Sequence, residues 1–143
     1  MSLTEEEQEQ RRAFLREQMC TTPYIAGLGV VIERWDPSGA RLRLPFAARL
    51  TNDGKSFHGV AIASLMDTAG AAAVWAGHDF DKGARAATVS LTINYTGGAR
   101  STDLVADAVC VKRGRELSFS EIRISDAGGN PVATGTLVYR IVP

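Results

Sequence analysis

The chain has 143 residues, a length suited to one domain with a sizeable core. Sixteen Lys and Arg balance sixteen Asp and Glu with no basic stripe, which excludes the electrostatic footprint of a nucleic-acid-binding protein. Two distant cysteines (Cys20, Cys110) and two histidines (His58, His78) exclude a disulfide framework and a zinc set.

The polar, acidic N-terminus does not resemble a secretory signal, so a cytoplasmic protein is expected. Thr4 followed by Glu7 is a capping-box pattern and predicts a charged helix over Thr4 to Met19. Its apolar stripe is thin (Ala13, Leu15, Met19), and Thr22-Pro23 stops it, so residues 1–22 are expected to form a peripheral helical arm. The β-branched run Val30-Val31-Ile32 predicts a strand from Leu28 to Trp35. Asp36-Pro37-Ser38-Gly39 is a turn, and Arg41-Leu42-Arg43-Leu44 alternates as a half-exposed strand, which completes a hairpin. Ala47 to Phe57 reads as a loop with Thr51-Asn52-Asp53-Gly54 at its tip.

Residues 57–77 predict one long central helix. Its sequence is apolar on every side, which normally means burial rather than a surface position. It is mostly Ala and Gly and carries Asp67, so a membrane span is rejected. Ala69, Gly70, Ala71, Ala72 and Ala73 allow strands to approach closely. Asp67 is the one ionisable group inside the helix, where it needs a partner or a task. His58-Gly59 opens the helix, where free N–H groups and a partial positive charge gather. After a polar loop (His78 to Arg85), everything reads as strand. Val89, Leu91, Ile93 and Tyr95 alternate with Thr88, Ser90, Thr92 and Asn94. Leu104–Val111, Leu117–Ser125 and Val132–Val142 follow, with a bulge expected between Phe119 and Ile122. The order β-β-α-β-β-β-β predicts a single α+β domain over 1–143. A curved antiparallel sheet wraps one long central helix, and the last four strands form a meander.

At this point a resemblance is visible. Asn52, Gly54, His58, Gly59 and, nine residues after the histidine, Asp67 hold the places and spacings found in the hotdog-fold thioesterases, in particular the phenylacetic-acid-degradation (PaaI-like) acyl-CoA thioesterases. The strand Ala87–Tyr95 resembles the strand that follows the helix in that family. Three departures stand out. Val60 replaces the second glycine of His-Gly-Gly, Ser90 stands where an acid is frequent, and Gly97-Gly98 stands where Arg-Pro is frequent.

The resemblance implies hydrolysis of an acyl-CoA thioester, with no cofactor because CoA is part of the substrate. It implies that the Gly59 N–H polarises the thioester carbonyl, and that Asp67 acts as general base or as nucleophile, both remaining open. Asn52 would orient water or substrate. His58 would hold the helix start and contact the thioester, and Thr88 would position water, with Ser90 as its alternate. Lys112, Arg113 and Arg115 would meet the CoA phosphates, Arg100 less directly. Helix geometry puts His58 and Asp67 about 13 Å apart along the axis, and Gly59 and Asp67 about 12 Å. Neither pair can meet one carbonyl, so the resemblance implies a homodimer with shared sites and a dimer of dimers. Two other readings remain: a non-catalytic acyl- or aryl-CoA-binding hotdog protein, and a hotdog hydratase or dehydratase. Asn52 has a turn role as its rival reading, His58 a backbone-bonding role, and the basic turn plain solvation.

Overall fold

The computed structural model describes all 143 residues. Helix α1 (Glu5–Met19) starts with the expected capping box: the Thr4 hydroxyl accepts from the Glu7 amide and the Glu7 carboxylate accepts from the Thr4 amide. It buries no residue completely. A second helix, α2 (Pro23–Leu28), follows in a segment for which the sequence predicts no element, and it takes in Leu28, the expected first residue of the strand. Pro23 sits at its first position and Gly29 ends it in the left-handed region (φ 87°), so the flanking residues define it more clearly than its six-residue body. The helical arm therefore runs past residue 22, and strand β1 begins only at Val31 (Val31–Asp36). Strand β2 (Gly39–Leu44) closes the expected hairpin, with Asp36 opposite Gly39.

Helix α3 (Gly59–Ala76) is capped by His58 and ends at Gly77. It is long and apolar enough to cross a membrane by composition, but here it is the core helix, touching all six strands. Strands β3 (Arg85–Tyr95), β4 (Leu104–Arg113), β5 (Leu117–Asp126) and β6 (Pro131–Val142) complete one antiparallel sheet in the order β1-β2-β4-β5-β6-β3. The expected four-strand meander is therefore three strands, β4 to β6. β3 pairs with β6 and reaches β4 by an eight-residue crossover, residues 96–103. That crossover is fastened to the loop before α3: the Phe57 amide donates to the Ala99 carbonyl and the Ser101 amide to the Lys55 carbonyl. The sheet has two edges, β1 and β3. Charged Glu33 and Arg34 and a register shift mark β1. β3 is eleven residues long, almost uncharged and largely exposed.

The expected bulge in β5 is absent. Ser118, Ser120, Ile122 and Ile124 all face inward without a break, and Phe119 lies on the other face. Two inward serines, one of which donates to the Gly70 carbonyl at 2.9 Å, mimicked a phase slip. The register shift belongs instead to β4, between Cys110 and Lys112.

Close approach of sheet and helix depends on two glycines. A Cβ on Gly70 would stand 2.7 Å from Leu137 Cδ2, 3.0 Å from Leu137 Cβ and 3.1 Å from Ile122 Cδ1, all side-chain atoms. A Cβ on Gly135 would strike Met66 Sδ and the Thr92 backbone carbonyl. Gly135→Ala is expected to cost about 1–3 kcal/mol through overpacking. Gly70→Ala should cost less, because helix propensity returns about 1 kcal/mol. Urea midpoints of the two variants check this order.

Candidate active site

The first turn of α3 is built by its neighbours. The His58 amide donates to the Leu50 carbonyl at 2.8 Å, and the amides of Ala61 and Ile62 donate to the His58 carbonyl. The Val60 amide donates to His58 Nδ1 at 3.0 Å. Of the amides from 58 to 62, only that of Gly59 has no partner in the chain. An unspent N–H at a helix N-terminus is suited to an incoming carbonyl oxygen or anion. Because Nδ1 accepts, the neutral His58 ring carries its proton on Nε2 and presents a donor. The Tyr95 hydroxyl, at the end of β3, donates to the Gly59 carbonyl at 2.9 Å.

Asp67 is not enclosed as the sequence suggested. Val60, Ala63, Ser64, Asp67 and Ala71 form a stripe at helical spacing that stays half-open, with Val60 60% exposed. The Thr88 hydroxyl donates to Asp67 Oδ1 at 2.7 Å. That contact depends on a bulge in β3: Thr88 pairs with Tyr139 and Ser90 with Val138, leaving Val89 as the extra residue. The bulge turns Thr88 toward α3, the side on which Leu91 and Ile93 pack. Ser90 falls on the outer face with Thr92 and Asn94. The clean alternation read from the sequence had put Thr88 and Ser90 on one face, and the bulge separates them.

Asn52 sits in the exposed loop before the helix. The turn around it is made by others. Asp53 accepts from the amides of Lys55 (2.9 Å) and Ser56 (2.7 Å), bonds that hold its carboxyl below the usual carboxylate range. The Thr51 hydroxyl accepts from the Gly54 amide. The Asn52 side chain makes no bond in the chain, and its backbone amide donates to Ser56. The turn role belongs to Asp53 and Thr51.

A groove of about 430 Å³ adjoins the first turn. Tyr24, Leu28, Leu50, Val60 and Ala61 give it an apolar lining, with His58 and Arg49 at its polar side. Arg49 donates to the carbonyls of Gly27 and Leu28 and so ties the end of α2 to this wall. Sequence reasoning missed Tyr24 and Arg49 because it did not see α2. It read Tyr95 only as an apolar member of an alternating strand.

The basic turn lies at the other end of α3, about 27 Å along the axis from Gly59. Arg113 donates to the carbonyls of Val74 (2.8 Å) and Ala73 (3.3 Å), two of the unpaired carbonyls of the helix C-terminus. Its guanidinium thus caps the C-terminus of the helix. Lys112 and Arg115 stay exposed, and Arg100 lies at the same end as His58, paired across from Ser56. His78, read as a loop residue, is buried. It packs edge-on against Trp75 and donates from Nε2 to the Gly83 carbonyl at 2.8 Å. Gln8 and Arg12 of α1 bond the same segment, which fixes the arm to the end of α3.

One antiparallel sheet wrapped around one long central helix is the hotdog fold. The chain belongs to the thioesterase superfamily, whose family model matches residues 54–133. It is 35% identical over 126 residues to a candidate esterase of Halobacterium salinarum, covering 82% of this chain and 83% of that protein. Among solved structures it superposes on the Escherichia coli PaaI protein of the phenylacetic acid degradation operon, with a TM-score of 0.79, 22% identity and coverage of 93% and 95%. A conserved protein of Pseudomonas aeruginosa gives 0.77, 28% identity and coverage of 87% and 98%. A Shewanella oneidensis protein related to the thioesterase superfamily gives 0.84 at 18% identity, with coverage of 94% and 97%. Membership places the chemistry of this chain among the thioester hydrolases.

Burial is the main force lowering the basicity of His78 below the ordinary value of 6.5. The folded state therefore binds this proton less readily than the unfolded chain. Stability from His78 is complete above pH 6.5 and declines as pH falls below it, until the folded value is passed. Urea midpoints between pH 7.5 and 5.5 should fall more steeply for the wild type than for His78→Gln.

Proposed function

We propose that the chain hydrolyses acyl-CoA thioesters at sites shared between two copies. The observation that carries this reading is the pairing of one unspent amide, Gly59 N–H, with one open carboxylate, Asp67, on the same helix. Eight residues separate them, about 12 Å, and contacts to one reacting carbonyl require about 3 Å. A second chain brought against the bare β3 edge would supply the missing half, since the open stripe and Thr88 lie on that side of the helix. One chain then offers Asn52, His58 and Gly59, and its partner offers Asp67 and Thr88.

In the reaction, the Gly59 amide and His58 Nε2–H receive the thioester oxygen as it gains charge. Asp67 takes a proton from water, whose oxygen bonds to the acyl carbon. The carbon–sulfur bond breaks, and the proton passes to the departing CoA sulfur. Thr88 holds Asp67 Oδ1 and leaves the second oxygen for water. The apolar groove beside the first turn receives the acyl group. Lys112, Arg113, Arg115 and Arg100 are the exposed cations from which phosphate contacts are drawn. No metal or further cofactor takes part, and the chain acts as a dimer or a pair of dimers.

The test is free-thiol release over an acyl-CoA panel. Asp67→Asn is expected to lose about 10²-fold or more in kcat, the usual value of a positioned base. His58→Ala and Asp67→Ala chains, each strongly impaired but measurable alone, should regain activity when co-expressed, because one of the two sites in the mixed dimer is intact. Absence of complementation would place the site within one chain. CoA binding without thiol release would support the non-catalytic reading.

A further inference from the structure

The first turn of α3 contains a connection that the proposed chemistry does not use. Tyr95 is 53% exposed, yet its hydroxyl makes a well-formed bond to the Gly59 carbonyl at 2.9 Å. The ring packs on the same turn, 3.7 Å from where a Gly59 Cβ would stand. The acceptor belongs to the Gly59–Val60 peptide, whose N–H donates to His58 Nδ1 at 3.0 Å. One peptide unit thus accepts at its oxygen and donates at its nitrogen. Because the amide is conjugated, a donor at the oxygen draws charge from the nitrogen and strengthens its N–H as a donor. The result is a line of three polar groups, Tyr95 O–H to Gly59 C=O, then Val60 N–H to His58 Nδ1, ending on His58 Nε2–H. His58 is exposed and faces the groove.

We propose that Tyr95 is a positioning residue. Through the Gly59–Val60 peptide it holds the His58 ring in the tautomer that presents Nε2–H to the groove. The inference rests on the proposed function only for the use made of that donor. The tautomer itself is a property of the chain. Without the tyrosine hydroxyl the Val60 amide is a weaker donor, and the ring more easily exchanges its two neutral forms or rotates away from the cap.

The chain holds only two histidines, so ring nitrogen spectra can be read directly. In its neutral form, wild-type His58 should give an unprotonated Nδ1 and a protonated Nε2 resonance. Tyr95→Phe keeps the ring and its packing. It should move both His58 resonances toward the average of the two tautomers and shift the Val60 amide proton upfield. His78, at the far end of α3, should not change, and its unchanged signals show that the variant is folded. Unaltered His58 and Val60 resonances in Tyr95→Phe overturn the proposal. In thiol release, Tyr95→Phe should lower kcat about fivefold, the worth of one neutral hydrogen bond, with KM little changed. In a His58→Ala background the same substitution should have no further effect, because its route is gone. Additive losses would mean that the Tyr95 hydroxyl acts by a route that does not pass through His58, and would also overturn the proposal. A wild type that releases no thiol sinks the proposed function, while the tautomer measurement still decides the role of Tyr95.

Discussion

An apolar helix of 18 residues stays out of water only if something wraps it. A sheet can wrap a helix closely only where both surfaces are small. Ala69, Gly70, Ala72 and Ala73 give α3 such a surface, and Gly135 gives one to β6. Leu137 and Ile122 fill the space that these small residues leave. The buried part of α3 is therefore set by volume rather than by polarity. That is why a helix so poor in large side chains is still the centre of the core, since close packing returns its stabilisation through many short contacts.

The wrap is incomplete on one side, and the polar groups of interest collect there. The stripe from Val60 to Ala71 is open along the helix, and Asp67 lies in its middle. A carboxylate in the enclosed part would need a buried partner. On the stripe it needs only the Thr88 hydroxyl and access to solvent. The two ends of α3 are finished in opposite ways. At the C-terminus, Arg113 occupies the carbonyls and Trp35 reaches the Ala72 carbonyl at 2.7 Å. At the N-terminus one amide is left over. The asymmetry leaves a donor available at one end and seals the other.

Much of this was legible in the sequence, because local chemistry carries it. The Thr4–Glu7 capping box, the turn at Asp36–Gly39 and the extent of α3 follow from residue types within a few positions. So do His58, Gly59 and Asp67, which are placed by helix spacing alone. The features that escaped depend on contacts between distant segments. β3 leaves its sequence neighbour β4 because an eight-residue crossover allows it to pair with β6, which no local pattern encodes. The Val89 bulge is a mismatch between two strands, so one strand alone cannot reveal that Thr88 turns toward Asp67. Ser118 and Ser120 look like outward residues until the Gly70 carbonyl supplies a partner for one of them. Arg113 looks like a solvated charge until the helix end arrives beside it. α2 is the exception, since Pro23 and Gly29 bracket it, and only its shortness leaves it without a readable period.

The two edges of the sheet are unlike, and this limits how the chain can grow into larger assemblies. β1 is short, charged and irregular, which are the features that discourage an added strand. β3 is long, nearly neutral and bare. A chain with one receptive edge and one guarded edge can take a single neighbour through its strands. Two such chains meeting at their receptive edges have then used both, so strand-by-strand addition stops at a closed pair instead of running on into a fibre.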